Sequence, residues 1–237
     1  MRTLVVAAAS LASLIAMSGP SHAVLQIAGN ISGTTFQCVD NDPACDQSGL
    51  TGTLSLADRT VNGVAINGSV QTSTKGPVNI LNTSSLSLIN TASTGRSIAF
   101  TVGDTGFVGP VTSFSASGSG TWQQAQGSTI TMAWYNDPNN DQGADTTTDT
   151  PGTLIHTYSD TAGPLTDAFS TSQAGAADDP SLFSMTETAF GTLVAGGELV
   201  NRGQTEIKVS PVSEPGSLAL LGSALMGMGL WLRRRAT

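Results

Sequence analysis

From Leu25 to Val209 apolar residues recur at alternate positions in short runs, with hydroxyl residues between them and Gly, Asn, Asp or Pro at the breaks. A period of two sets successive side chains on opposite faces, so each run predicts a strand with one face in a core. The rhythm is found in Gly52 to Leu56, Val64 to Val70, Val78 to Ile89, Ser97 to Val102 and Val111 to Trp122, and again in Ser128 to Tyr135, Thr153 to Tyr158, Leu182 to Val194 and Glu198 to Val209. Helical periodicity is nowhere sustained here. Turn signals fall between or beside the runs at Asn62-Gly63, Asn67-Gly68, Gly76-Pro77, Gly109-Pro110, Gly163-Pro164 and Gly196-Gly197, where Asn and Gly take the positive φ that tight hairpins need. Many short strands so punctuated predict an all-β sandwich or barrel. Uneven run lengths and long connections favour a sandwich with jelly-roll or Greek-key crossings. Asn136 to Thr150 and Asp160 to Pro180 read as long loops.

The core this pattern offers is thin in aromatics. Trp122, Phe100, Phe114, Trp134, Phe169, Phe183 and Phe190 are few for a domain of this size, so packing leans on Val, Ile, Leu, Ala and Thr methyls.

The pattern breaks at both ends. Arg2 precedes a nearly uninterrupted apolar stretch from Leu4 to Met17, Gly19-Pro20 breaks it, and Ser21 and Ala23 are small residues at the −3 and −1 positions of a cleavage site between Ala23 and Val24. Residues 1–23 therefore read as a helical secretory signal, which implies the Sec export machinery as a partner. At the other end Val212-Ser213-Glu214-Pro215-Gly216 leads into an apolar run from Ser217 to Leu232 and then Arg233-Arg234-Arg235. As a helix that run reaches only about 24 Å, a marginal single span of a hydrocarbon core about 30 Å thick. The arginines would be held on the cytoplasmic side. The same residues suit a permanent tail anchor.

The order of a Pro-Glu-Pro-like motif, a short Gly- and Leu-rich helix and a terminal arginine cluster resembles the PEP-CTERM sorting signal of Gram-negative, exopolysaccharide-making bacteria. Glu214, Pro215 and Gly216 match the motif, and Ser213 stands where that family most often has its first proline. The resemblance implies processing by the membrane protease exosortase, transient inner-membrane anchoring, and delivery to the cell surface or a biofilm-type extracellular matrix. Residues 212–237 are then the sorting signal and residues 24–211 the ectodomain. Within the ectodomain, Phe36 to Asp46, Gly103 to Phe107 and Phe183 to Glu187 are similar to a recurring PEP-CTERM ectodomain, which implies a β-rich surface protein and no reaction.

Charge narrows the function classes. Charged residues make up only 11% of the chain, and between Val24 and Pro211 sixteen acidic side chains face five basic ones, for a net charge near −11. Arg59, Lys75, Arg96, Arg202 and Lys208 are scattered, so the clustered cations that nucleic acid requires are missing. Cys38 and Cys45 are the only cysteines of an exported chain, and a disulfide is the default reading. Closing so short a loop is worth about 2.5 kcal/mol by chain entropy.

Candidate chemistry is sparse. Asp137, Asn139, Asp141 and Asp145 bring oxygens together in one loop, and Asp40, Asp42 and Asp46 in another, as a calcium site requires. The EF-hand register fails in the first, because Gln142 stands where glycine is needed and Thr148 where the bidentate glutamate belongs. The bland reading is turn capping, and no metal or other cofactor is assigned. His156 has no nucleophile elbow to serve, and no catalytic residue is assigned. Glu187, Glu198 and Glu206 are the carboxylates a carbohydrate-active enzyme would have to pair across a cleft. Trp122, Trp134 and Tyr135 are candidates for a sugar-stacking platform, Tyr135 being the better exposed and the two tryptophans better suited to a core. The reading is a non-enzymatic structural, adhesive or exopolysaccharide-associated surface protein, with a carbohydrate- or calcium-binding module or a carbohydrate-active enzyme as alternatives.

Overall fold

The computed structural model describes residues 25–73, 78–177 and 182–209. The signal segment, Val24, the turn at Gly76-Pro77 and the whole tail from 212 onward lie outside the described residues. Among those described, the secondary structure is β throughout: β1 (Gln26–Ile31), β2 (Thr34–Val39), β3 (Thr53–Val61), β4 (Val64–Ser73), β5 (Val78–Asn90), β6 (Arg96–Val108), β7 (Val111–Gln123), β8 (Thr129–Asp137), β9 (Thr153–Thr161), β10 (Asp167–Ala176), β11 (Leu182–Leu193) and β12 (Glu198–Val209). No helix among them is long and apolar enough to cross a membrane.

The strands form two six-stranded antiparallel sheets, ordered β2-β1-β6-β11-β8-β9 and β10-β7-β12-β5-β4-β3, here called the first and second sheet. From β5 onward the chain passes from sheet to sheet at every connection except the β8–β9 hairpin, which is the double Greek-key wiring of a jelly roll. The pairs β1–β2 and β3–β4 widen each sheet by two strands. Their inner faces interlock through Ile27, Ile31, Leu54, Ile66, Leu81, Leu88, Phe107, Trp122, Trp134 and Phe183, all essentially inaccessible to solvent. Phe107 stacks on Phe183 with centroids 5.6 Å apart, and Phe36 meets Phe100 edge-on at 6.0 Å.

All nine runs with alternating residues are strands, and three more are present. β1 and β2 precede the first of the nine, and β10 occupies the segment Asp160 to Pro180 that reads as a loop. Its inward positions, Phe169, Thr171, Gln173 and Gly175, hold one large apolar side chain, so alternation is invisible there. It forms because all ten of its residues find partners in β7. Asn62-Gly63 makes the β3–β4 hairpin with φ of 44° and 79°. Gly109-Pro110, a cis peptide, joins β6 to β7, and Gly196-Gly197 turns β11 into β12. Asn67-Gly68 is no turn but the middle of β4, where a Cβ at Gly68 would lie 2.5 Å from the Ser85 carbonyl oxygen. Phe190, read as core, is 51% exposed on the outside of β11.

Two glycines set how closely the sheets meet. A Cβ at Gly118 on β7 would stand 2.8 Å from both Met132 Cε and Trp134 Cζ2, and one at Gly203 on β12 would stand 2.8 Å from Glu187 Oε2. Large side chains of the first sheet fit only because the second offers bare backbone there. At Gly191 an added Cβ would overlap the Thr129 backbone carbonyl, which cannot rotate away. Gly191→Ala should therefore cost about 1–3 kcal/mol as overpacking does, and more than Gly33→Ala, where space is open and only the positive φ of 91° resists. Thermal unfolding of the two variants checks the ranking.

Candidate functional site

Each cluster of polar residues proves to be organised by the fold. Cys38 at the end of β2 and Cys45 in the following loop are disulfide-bonded, with Cα atoms 5.8 Å apart. The aspartates of that loop act as turn caps. Asp46 accepts N–H bonds from Asn41, Ser48 and Ser55 at 2.8–2.9 Å, and Asp40 accepts one from Gly52 at 2.7 Å. Asp42 accepts from the Ala44 N–H at 3.0 Å.

Residues 138–152 join β8 to β9 and lie across the outer face of the first sheet. Gln26 on β1 donates to the Ala144 carbonyl at 2.6 Å and to Asp145 Oδ1 at 3.3 Å, while the Gly106 N–H donates to Asn140 Oδ1 at 2.6 Å. Ala144 is fully buried, and Gly143 packs against Thr186. Within this loop Asp137 accepts from the backbone N–H groups of Asn139 and Asp141 at 3.1 and 2.9 Å. No group of three or more His, Cys, Asp or Glu among the described residues is arranged to hold a metal ion. Of the calcium candidates Asp137, Asn139, Asp141 and Asp145, the carboxylate of Asp137 caps backbone N–H groups and that of Asp145 accepts from Gln26.

The glutamates do not converge. Glu187 points inward from β11, in the middle of the first sheet, whereas Glu198 and Glu206 alternate with the buried Leu199, Thr205 and Ile207 and so project from the outer face of the second. Glu187 meets Thr83 and Thr205, whose hydroxyls donate to its two carboxyl oxygens at 3.0 Å each. Burial pushes its pKa up to about 8 against the opposing effect of those hydroxyls. The Trp134 indole also favours the charged form, although its N–H completes no hydrogen bond. At neutral pH the buried group is mostly the neutral acid.

His156 on β9 stacks on Trp134 with ring centroids 5.0 Å apart, and its Nε2 lies 2.8 Å from Thr171 Oγ1 on β10. It bridges the edge strands of the two sheets, and burial lowers its pKa. Trp122 is buried too and donates to Asp160 Oδ2 at 2.8 Å. The stacking platform does not form: Trp122 and Trp134 are inside the sandwich, and Tyr135 is half-buried on the outside of β8.

What sequence reading missed is a trough on the outer face of the second sheet. Asn82 and Ser84 from β5, Arg202 and Gln204 from β12, Ser117 and Ser119 from β7 and Ser170 and Ser172 from β10 line an open depression of about 600 Å³. Gly118 and Gly203 form part of its floor. A second hollow of about 300 Å³ adjoins it at Ser119 and Arg202. Pairing skips Ser84 on passing from Ser85 to Thr83, so a β-bulge sits at the trough and turns Ser84 outward while Thr83 reaches Glu187. The Ser84 hydroxyl is held 2.7 Å from that of Ser69. The alternating Ser-Gly-Ser-Gly at 117–120 was the one local signal of such a surface.

Residues 211–235 match the family model described as the PEP-CTERM protein-sorting motif. The chain carries a PEP-CTERM sorting motif. This implies an exported protein that passes through the membrane and is processed by exosortase. The segments Phe36 to Asp46, Gly103 to Phe107 and Phe183 to Glu187 come together in the fold: Phe107 pairs with Phe183 and Asp104 with Met185 between β6 and β11, and Phe36 packs on Phe100 of β6. No curated protein matches the chain. Similar solved structures include TmCBM61 in complex with beta-1,4-galactotriose (9% identity over 59% of this chain and 86% of that one, TM-score 0.33). Others are infectious bursal disease virus, Gx strain (12%, 82% and 68%, 0.33) and the C-terminal CBM6 of LamC, a marine laminarinase from Zobellia galactanivorans (10%, 66% and 98%, 0.22). Likenesses this weak carry neither fold nor function.

The Glu187 geometry has a consequence for stability. Its folded pKa lies above the ordinary 4.5, so the native state holds a proton that the unfolded chain releases. That contribution is complete below about pH 4.5 and declines as pH rises towards 8. The unfolding midpoint should fall across this window, and Glu187→Gln, which cannot ionise, should flatten the slope. Thermal scans of both proteins against pH measure it.

Proposed function

We propose that the protein is a non-enzymatic surface or matrix component, led across the inner membrane by the Sec machinery and released by exosortase to work in contact with exopolysaccharide. The carrying observation is the sorting motif over residues 211–235. In this reading the span 217–232 holds the chain while Arg233, Arg234 and Arg235 remain in the cytoplasm, and cleavage falls near Val212 to Gly216. What remains is a disulfide-bonded sandwich with an acidic, hydroxyl-rich surface, suited to a hydrated extracellular setting.

The geometry favours a binding or structural role over glycoside cleavage. Paired carboxylates must flank one bond, but Glu187 lies between the sheets and Glu198 and Glu206 lie outside them, with sheet backbone intervening. The polar trough gives a carbohydrate-binding role a place to act.

Mass spectrometry of the protein recovered from the producing cells tests the sorting steps. The expected product begins at Val24, lacks Arg233 to Arg235, and carries the Cys38–Cys45 disulfide. Recovery of the uncut chain with Arg235, resident in the inner membrane of cells with a working exosortase, would overturn the reading in favour of a permanent anchor.

A further inference from the structure

We infer that the trough on the outer face of the second sheet is a binding site for a carboxylate-bearing glycan, with Arg202 as the group that selects the acidic sugar. This rests on the exopolysaccharide reading above and narrows it to one face, one ligand class and one specificity residue. Arg202 is exposed where the two hollows meet, and its guanidinium has no hydrogen-bond or ion-pair partner among the described residues. No carboxylate lines either hollow. In a domain with sixteen acidic side chains, an unpaired arginine in a carboxylate-free hollow leaves a local positive site. Guanidinium binds carboxylate in a planar, two-pronged geometry that an ammonium cannot copy.

The other groups around Arg202 fit a polyol. Ser84, Ser117, Ser119, Ser170 and Ser172 supply hydroxyls that both donate and accept, and Asn82 and Gln204 supply amides that do the same. A sugar ring presents hydroxyls with that double capacity. Two features favour a glycan over a peptide: the trough crosses four strands rather than following an open sheet edge, and its side chains are hydroxyls, amides and one guanidinium, apolar residues lining only the adjoining hollow at Ala168, Phe169 and Val200. The combined hollows run across β10, β7, β12 and β5, a width of about 14 Å at ordinary strand spacing, which suits a short stretch of a polymer rather than a single sugar. With no exposed aromatic platform in the trough, recognition is by hydrogen bonds and one ion pair.

The test uses the exported, processed protein and two probes, alginate as a polyuronate and the same polymer with its carboxylates reduced to alcohols, measured by affinity electrophoresis and calorimetry. Wild type should bind alginate more tightly than the reduced polymer. Arg202→Gln should weaken alginate binding about tenfold while leaving binding to the reduced polymer, and the unfolding midpoint, unchanged. Arg202→Lys should retain only part of the preference. Ser117→Trp, which fills the trough from β7, should weaken binding to both polymers. Equal binding of alginate by wild type and Arg202→Gln, or no preference for alginate in wild type, would overturn the assignment of Arg202 and leave the exopolysaccharide reading standing. Failure of the wild type to bind either probe or the polysaccharide isolated from the producing cells would overturn that reading as well.

Discussion

Bare backbone at Gly118 and Gly203 sets the spacing on which this sandwich depends. Trp134, Met132 and Glu187 rise from the first sheet into space that any side chain at those two positions would occupy. Part of the bulk of a core poor in aromatics stands there, where β8 and β11 of the first sheet face β7 and β12 of the second. The same two glycines help to floor the outer hollow, so at this point little more than a layer of peptide separates the packed interior from solvent. Inner fit and outer concavity are two sides of one local thinning of the second sheet.

Beneath that thinning lies a buried carboxyl group, that of Glu187. A buried charge is expensive unless its partners are excellent, and the cheaper outcome is neutralisation. Thr83 and Thr205 supply two hydroxyls from two strands of the opposite sheet, enough to orient the group but not to keep it ionised. The result is a polar tie between the layers at their centre. His156 and Thr171 provide a second at the margin.

Much of the fold was legible because alternation survives wherever large apolar residues mark the inward face. It failed at β10, where inward positions carry Thr, Gln and Gly, and at Phe190, where a large apolar residue faces outward. Asn67-Gly68 misled because Gly68 answers to a close approach by the β5 backbone rather than to a turn. The disulfide was readable from two cysteines and the export context. By contrast, the trough draws its lining from four strands spread between residues 82 and 204, and only the wiring of the sheets joins them. The three glutamates were only candidates in the sequence, and the fold separates them: Glu187 on β11 points between the sheets, while Glu198 and Glu206 on β12 point outward.

The place of β12 bears on how the domain closes. It is the last strand among the described residues, yet it sits between β7 and β5 in the middle of its sheet, hydrogen-bonded along both edges. Without those residues β5 and β7 each lack a neighbour and the interior lacks Leu199 and Ile207. The domain completes its architecture only once the segment just before the sorting motif is in place, so the last residues ahead of that motif close the fold.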